Sequence, residues 1–192
     1  MDALFKGLKD QIESLSPLED SEWCEFKTYW KPLKLKKGHQ ITRIGQVEDY
    51  FYYVYEGVVR GYAFKDGEDI SIGFSYKGDY SGAYDSFLTR NPSEWCMETT
   101  TNVELACIHY NDLMNMFDKY KSIERWGRLF NAKMLIAMSR RQVESRSYTA
   151  EERFERLMDQ SPHLFQLVSQ RHIASYLGMT PETLSRLRKK VR

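Results

Sequence analysis

With 192 residues and 42% hydrophobic content, the chain is long enough for one large domain or two small ones, each with a packed core. No run approaches the roughly 18 apolar residues of a membrane span, and the charged N-terminus is unlike a signal peptide, so we expect a cytoplasmic protein without a membrane partner. The net charge of +1 is unevenly distributed, because residues 169–192 carry six basic side chains against one glutamate, giving +5 here and −4 elsewhere.

The first two thirds of the chain change from a helical to a strand pattern. Residues 1–30 repeat apolar residues at steps of three and four, which predicts helices with a break at Ser16-Pro17. From Leu33 to Ile108, short β-branched and aromatic runs separated by turns are typical of an all-β domain. The Asp66-Gly67 pair between two such runs predicts a tight hairpin, since glycine supplies the positive φ that a primed turn requires.

A helical pattern returns after Asn111 and continues to about Arg146. Its apolar stripe includes Trp126, Phe130 and Met138, and a helix of this length usually needs a partner helix. We therefore predict that residues 112–146 form a dimerisation helix. The alternative is that the stripe packs on the chain's own β domain.

The C-terminal region has its own helix signals. Thr149 and Glu152 have capping-box spacing, so a new helix should begin there and end at the Ser161-Pro162 break. The predicted units are therefore residues 1–111, 112–146 and 147–192.

Two short helices are predicted near the end of the chain. Ser169 is a candidate N-cap for the first helix, and Gly178 stands where a helix end favours a left-handed residue. Thr180 then caps a second helix that opens with Pro181. In this second helix, the residues expected to face inward are Leu184, Leu187 and Val191. The outward set is Glu182, Thr183, Ser185, Arg186 and Lys189.

Two segments carry a family resemblance. VSQRHIASYLGMTPETLSRLRKK resembles the helix-turn-helix of Crp/Fnr transcription regulators, and KKGHQITRIGQVEDYFYYVYEGVVRGYAFKDGEDISIGFSYKGDYSG resembles that family's cyclic-nucleotide-binding β-roll. The resemblance implies an α+β chain with an N-terminal double-stranded β-helix of the jelly-roll type. It further implies a long dimerisation helix, a winged-helix-like reader, and a homodimer that regulates transcription at a palindromic operator in double-stranded DNA.

The resemblance also assigns candidate DNA contacts. Glu182 and Arg186 match the family's base readers, and Thr183 and Ser185 take neighbouring contact positions. Arg and Glu suit this role because they pair with guanine and cytosine edges. Arg171, Thr180 and Lys189 complete the set. Pro181 departs from the family, where relatives often carry another base-contacting arginine, so the operator sequence is expected to differ.

The matching β-roll segment lacks the residues that grip a cyclic phosphate in cyclic-AMP-binding relatives. A gapless alignment of GDYSGAYDSFLTRNPSEW puts Gly82 on the family's glycine, Ala83 on its glutamate, Ser93 on its arginine and Glu94 on its serine. Together with Tyr84, these residues form the candidate effector pocket. A carboxylate at Glu94 would repel a phosphate. Cyclic AMP is therefore not expected to bind, and an altered cassette for a cyclic nucleotide or another small effector stays open as the alternative function.

The sequence gives less support for disulfides, metal sites and an enzyme active site. Three cysteines without CxxC spacing, Cys24, Cys96 and Cys107, argue against disulfides, a zinc ribbon and an iron–sulfur cluster, and we expect them reduced and mostly buried. His39 and His109 stand alone, so no metal site is predicted, and no nucleophile with its base suggests an enzyme. The tyrosine-rich strands either line an aromatic pocket or fill the sheets. RNA polymerase is a further candidate partner.

Overall fold

The computed structural model describes residues 1–190, and the predicted inward-facing Val191 lies outside them. Residues 31–109 contain the strands, which are β1 (Lys31–Leu35), β2 (Gln40–Thr42), β3 (Tyr50–Glu56), β4 (Val59–Lys65), β5 (Glu68–Ser75), β6 (Tyr80–Ser81), β7 (Cys96–Thr99) and β8 (Val103–His109). They form a β-roll of two antiparallel sheets, with strand orders β1-β8-β3-β6 and β2-β7-β4-β5.

Helices precede, interrupt and follow this roll. They are α1 (Asp2–Glu13), α2 (Asp20–Tyr29), α3 (Tyr84–Thr89), α4 (Tyr110–Lys119), α5 (Lys121–Ser147), α6 (Ala150–Gln160), α7 (Leu164–Leu167), α8 (Gln170–Leu177) and α9 (Pro181–Lys190). Local signals set several of these boundaries as predicted. The Thr149–Glu152 capping box is present at the start of α6. Between β4 and β5, Asp66 and Gly67 have φ of 54° and 82°, which confirms the predicted tight hairpin.

Three apolar clusters hold residues 1–190 together. One fills the inside of the roll, with Val54, Val59 and Leu105 fully buried between the sheets. A second is mostly aromatic and packs α1, α2, α4 and the start of α5 on the first sheet, where Phe51 and Trp126 lie. The third joins α6 to α9. The interior of the roll is therefore one core, and the two groups of helices form further cores against residues of the roll.

The predicted single helix of residues 112–146 is wrong in its first part, because two helices meet at Tyr120. This residue is extended, with φ of −126° and ψ of 116°. Its hydroxyl donates to Glu25 of α2 at 2.8 Å, and neighbouring Lys119 contacts the same carboxylate at 2.7 Å. Beyond the break, Gly127 lets the helices approach closely, since an added Cβ would lie 2.6 Å from Phe117. Tertiary contacts therefore end α4 where the local sequence gives no stop signal.

The apolar stripe predicted on this helix divides into two parts. Trp126 is 1% exposed and packs with Phe26 and Phe51 in the chain's own core, so this part follows the alternative that the stripe covers the β domain. After Phe130, every residue from 131 to 140 is exposed. Leu135 and Met138 are the most exposed apolar residues of this stretch. The unpaired apolar surface therefore begins one to two turns after Trp126.

The C-terminal helices dock along β5, the edge strand of the second sheet. The Ser71 amide on β5 donates to Ser175 Oγ on α8 at 2.9 Å, and Val58, just before β4, is buried in the core of α6 to α9. Tyr76 and Ser161 share a hydroxyl hydrogen bond of 2.5 Å. These contacts fix the position of α8 and α9 relative to the roll.

All three cysteines are free thiols. Cys96 and Cys107 are buried and Cys24 is exposed, in agreement with the expectation of reduced and mostly buried cysteines. No helix among residues 1–190 combines the length and apolarity needed to cross a bilayer. Over the same residues, no group of three or more His, Cys, Asp or Glu side chains is placed to hold a metal ion.

Candidate nucleic-acid interface

The α8–turn–α9 unit is built by the local signals predicted for it. Ser169 Oγ accepts the His172 amide at 3.2 Å, which caps α8. Gly178 ends α8 with φ of 66° and ψ of 43°, a left-handed conformation that costs glycine little. Thr180 Oγ1 then accepts the Thr183 amide at 3.3 Å at the start of α9. Only two residues, Met179 and Thr180, separate Gly178 from Pro181, so the two helices meet in a tight turn.

Apolar packing decides which face of α9 is open to solvent. Leu184 and Leu187 are buried against Ile173 and Leu177 of α8, as predicted for the two leucines. The residues on the opposite face line one shallow concavity that is open to solvent: Pro181, Glu182, Ser185, Arg186 and Lys189. The structure therefore brings Glu182, Ser185, Arg186 and Lys189 together, whereas Thr180 and Thr183 serve the helix start.

The charges on this face are placed for polar contacts with a ligand. Glu182, Arg186 and Lys189 are exposed, and Thr183 and Ser185 are half-buried. The first-turn amide of α9 and the Thr180 hydroxyl hold the pKa of Glu182 below its usual range, so this carboxylate stays ionised and accepts hydrogen bonds. A row of one ionised acceptor and two cationic donors can contact base edges and phosphates.

Among the described residues, three other basic side chains of this region have intramolecular partners. Arg188 stacks over the Phe165 ring at 5.6 Å, and Lys190 pairs with Glu151 at 3.1 Å. Arg171, near the start of α8, pairs with Glu68 of the β-roll at 3.0 Å. Composition alone did not separate these residues from Arg186 and Lys189, because their partners are distant in sequence.

The five candidate effector residues lie between β6 and β7, but the structure does not give them a shared open pocket face. Ala83 is fully buried in the roll interior beside Tyr52, and Gly82 has φ of 133°. Ser93 is also buried, and its hydroxyl donates to the Trp95 carbonyl at 2.7 Å. Glu94, in contrast, is exposed.

A buried carboxylate that the sequence analysis missed lies against this segment. Glu48 is 3% exposed and accepts the Tyr50 amide at 3.1 Å and the Tyr52 hydroxyl at 3.4 Å. It also accepts a short hydrogen bond from Thr42 and a longer one of 3.5 Å from the Ala83 amide. Burial raises the pKa of Glu48, while these donors oppose the rise. The Ala83 amide therefore faces a carboxylate of the chain itself.

Two further polar side chains near this segment, Arg90 and Tyr84, are also engaged in intramolecular contacts. Arg90 donates to the Glu48 carbonyl at 2.6 Å and pairs with Asp49. The Tyr84 hydroxyl donates to Asn131 of α5 at 2.6 Å, and burial raises the pKa of Tyr84 to about 12. The candidate pocket residues thus serve the chain's own packing and link α3 to α5.

The tyrosines of the strands are spread over different surfaces. Tyr53, Tyr80 and Tyr84 belong to the aromatic cluster on the first sheet, whereas Tyr52 lies inside the roll and Tyr76 contacts the C-terminal helices. Their distribution matches sheet filling on several faces.

Comparison with known proteins shows which proteins share this fold. Residues 32–120 match the family model of the cyclic nucleotide-binding domain. A comparison with curated proteins gives no significant match. Among solved structures, FixK2 from Bradyrhizobium japonicum is similar at 23% identity, covering 84% of each chain, with a TM-score of 0.73.

Two further structures cover more of the chain. A putative cAMP-binding regulatory protein from Silicibacter pomeroyi shares 16% identity over 100% of this chain and 88% of its own, with a TM-score of 0.70. The c-di-GMP-responsive global regulator CLP from Xanthomonas campestris shares 21% identity over 90% and 91% of the two chains, with a TM-score of 0.66. The chain therefore combines a β-roll of the cyclic nucleotide-binding type with C-terminal helices, in the fold of these proteins.

Proposed function

We propose that the chain is a sequence-specific DNA-binding transcription regulator of the Crp/Fnr type and acts as a homodimer. The observation that carries this proposal is the open face of α9, where Glu182, Ser185, Arg186 and Lys189 lie together above a packed leucine face. In a helix-turn-helix, the second helix enters the major groove and its N-terminal residues contact base edges. Glu182 and Arg186, one turn apart within the first six residues of α9, have this placement.

The dimer is part of the proposal because two recognition helices must contact successive major grooves. Half-sites in such operators lie about 34 Å apart, and protein symmetry is mirrored by a palindrome. The exposed apolar half of α5, around Leu135 and Met138, supports pairing with a second copy. The structures of similar fold include CLP, which is described as a global regulator.

The β-roll is proposed to have lost the grip on a cyclic phosphate. Ala83 and Ser93 are buried and short, and the Ala83 amide already faces the Glu48 carboxylate. An anionic ligand at this amide would meet a buried carboxylate, which costs binding energy unless Glu48 is protonated or moves. A receptor that uses an altered cassette is the alternative, since residues 32–120 match the cyclic nucleotide-binding domain.

Selection from a random duplex library with the purified chain tests the proposal. We expect an enriched palindrome whose half-sites are separated by about one helical turn. The Glu182→Ala/Arg186→Ala variant should lose this enrichment. The matched control is Glu151→Ala/Lys190→Ala, which removes the same two charges from another face of the domain. A library that stays random with the wild-type chain would refute the function.

Titration calorimetry distinguishes the proposed regulator without a cyclic nucleotide from the alternative, a receptor that uses an altered cassette. Cyclic AMP, cyclic GMP and cyclic di-GMP should give no binding heat at micromolar concentrations. Saturable binding of one of them, combined with an unselected DNA library, would favour the receptor function over the regulator.

A further inference from the structure

The β4–β5 hairpin of the roll lies directly beside the start of α8. Its turn and the first residues of β5 carry three carboxylates within four positions: Asp66, Glu68 and Asp69. Asp69 is paired with the buried Arg60 at 3.0 Å, which holds its pKa below the usual range. Asp66 and Glu68 are exposed, so this end of the hairpin presents negative charge to solvent.

One of these carboxylates contacts a candidate DNA ligand. Glu68 Oε2 accepts a hydrogen bond from Arg171 Nη2 at 3.0 Å, and both side chains are largely exposed. Arg171 is the second residue of α8, whose start is capped by Ser169. The first helix of a helix-turn-helix crosses the DNA backbone, so a guanidinium at its start is placed for a phosphate.

The hairpin is held against α8 by the surrounding interface as well as by the ion pair. Ser175 Oγ, one turn after Arg171 on α8, accepts the Ser71 amide at 2.9 Å and approaches the Asp69 carbonyl at 3.5 Å. Phe74 of β5 packs edge-on against Tyr176 with 5.2 Å between ring centroids. The hairpin and α8 are therefore expected to stay together without Glu68. Loss of the Glu68 carboxylate should free Arg171 without moving the hairpin.

We propose that the β4–β5 hairpin is an internal competitor for DNA, in which the Glu68 carboxylate occupies on Arg171 the position of a backbone phosphate. This inference rests on the proposed DNA-binding function. The reading face of α9 stays open while Arg171 is paired, because its lining residues are all from α9 itself. The ion pair therefore lowers affinity for DNA of any sequence and leaves the choice of sequence to Glu182 and Arg186.

The test uses the full chain with Glu68→Gln, a change on an exposed side chain that keeps its size. Affinity is measured by fluorescence anisotropy for the selected operator and for a random-sequence duplex of about 30 base pairs, long enough for two half-sites one turn apart. We expect both affinities to rise by the same factor, about two- to fivefold per Arg171, as an exposed ion pair allows. The slope of log affinity against log salt concentration should steepen by about 0.9 for each additional phosphate that the variant neutralises.

Two controls distinguish competition by Glu68 for Arg171 from general repulsion between the chain's negative charge and DNA. Glu104→Gln removes the same charge from another exposed ion pair, with Lys34 on the first sheet, and should leave affinity unchanged. In an Arg171→Ala background, Glu68→Gln should lose its effect, since the competitor acts through Arg171. A rise in affinity that persists in this background, or that Glu104→Gln reproduces, would show repulsion by net charge and overturn the inference.

The remaining outcomes are also distinct. Wild-type binding to DNA without a rise in affinity for Glu68→Gln would overturn the competitor while the proposed function stands. If neither the wild-type chain nor any variant bound DNA, the proposed function would be refuted, and this inference with it.

Discussion

Leu135 and Met138 lie one turn apart on α5 and are 68% and 65% exposed, whereas Trp126 on the same helix is 1% exposed. The exposed apolar surface that we expect a second copy of the chain to cover is therefore on the second half of α5. Burying each such side chain contributes about 1.5–3 kcal/mol, and a symmetric dimer buries both copies.

We predict that Leu135→Glu/Met138→Glu converts a dimer into a folded monomer. Glutamate keeps the helix propensity but cannot be buried without a large cost. Sedimentation at micromolar concentration measures the change, and Lys133→Glu on the same exposed stretch should leave the dimer intact. A monomeric wild-type chain would contradict the prediction. Quenching of Trp126 fluorescence does not test it, because Trp126 is shielded within one chain.

Local chemistry made much of the fold predictable. The Asp66-Gly67 turn and the caps at Thr149, Ser169 and Thr180 depend on residues one to three positions apart, and all of them are present. The inward leucines of α9 followed from helical periodicity in the same way. The caps and the periodicity together positioned the candidate site.

Features that depend on distant residues were not predictable. The break at Tyr120 depends on Glu25, which is 95 positions away. Glu48 is buried by strands and loops that gather around it only in the fold, and Arg171 is paired with a residue 103 positions away. A single sequence shows charge and periodicity, but it does not show which charges already have a partner.

Arg186 and Lys189 share one face of α9 but are predicted to have different roles. Arg186→Ala should cost about 1–3 kcal/mol per half-site and relax preference at one base pair. Lys189→Ala should weaken binding to all sequences alike and flatten the salt dependence, since Lys189 lies near the helix end. Competition binding with the selected operator and with scrambled DNA, at two salt concentrations, distinguishes the two.

Lys190→Ala is the matched control for this comparison. It removes one positive charge from the same helix, but Lys190 is paired with Glu151 away from the concavity. We expect a smaller loss of affinity than for Lys189→Ala. If Arg186→Ala weakened operator and scrambled DNA equally, Arg186 would be a backbone contact and the assignment of a base reader would fail.

Placing at position 83 the glutamate of the cyclic-AMP-binding proteins that this segment resembles is predicted to destabilise the roll instead of creating a cyclic AMP site. Ala83 is fully buried beside Tyr52 and Met97, and its amide faces Glu48. Overpacking costs about 1–3 kcal/mol, and a second buried carboxylate adds to this. Chemical denaturation should show the loss for Ala83→Glu. Leu88→Glu, at an exposed position of α3, is the control and should retain near-wild-type stability. A stable Ala83→Glu chain that binds cyclic AMP would contradict this account.

Asp79, in the loop between β5 and β6, should make stability depend on pH in the acidic range. Burial raises the pKa of Asp79 from 3.8 to about 6, although its carboxylate accepts the Tyr76 amide at 3.0 Å. Because the folded pKa lies above the unfolded value, the folded chain binds the proton more tightly. The stabilisation is complete below about pH 4 and is lost as the pH rises through about 6.

Asp79→Asn should therefore raise the free energy of unfolding at pH 7.5 by up to about 3 kcal/mol, from about 1.4 kcal/mol per unit of pKa, because the amide keeps an acceptor for Tyr76 without a buried charge. Urea denaturation at pH about 4 and about 7.5 measures this. The difference between variant and wild type should nearly vanish at the lower pH, where Asp79 is largely protonated. Asp10→Asn, on the exposed face of α1, is the control for the loss of one aspartate charge and should change the free energy of unfolding little. An Asp79→Asn chain that is less stable than wild type at pH 7.5 would mean that the ionised carboxylate is needed to hold the β5–β6 loop.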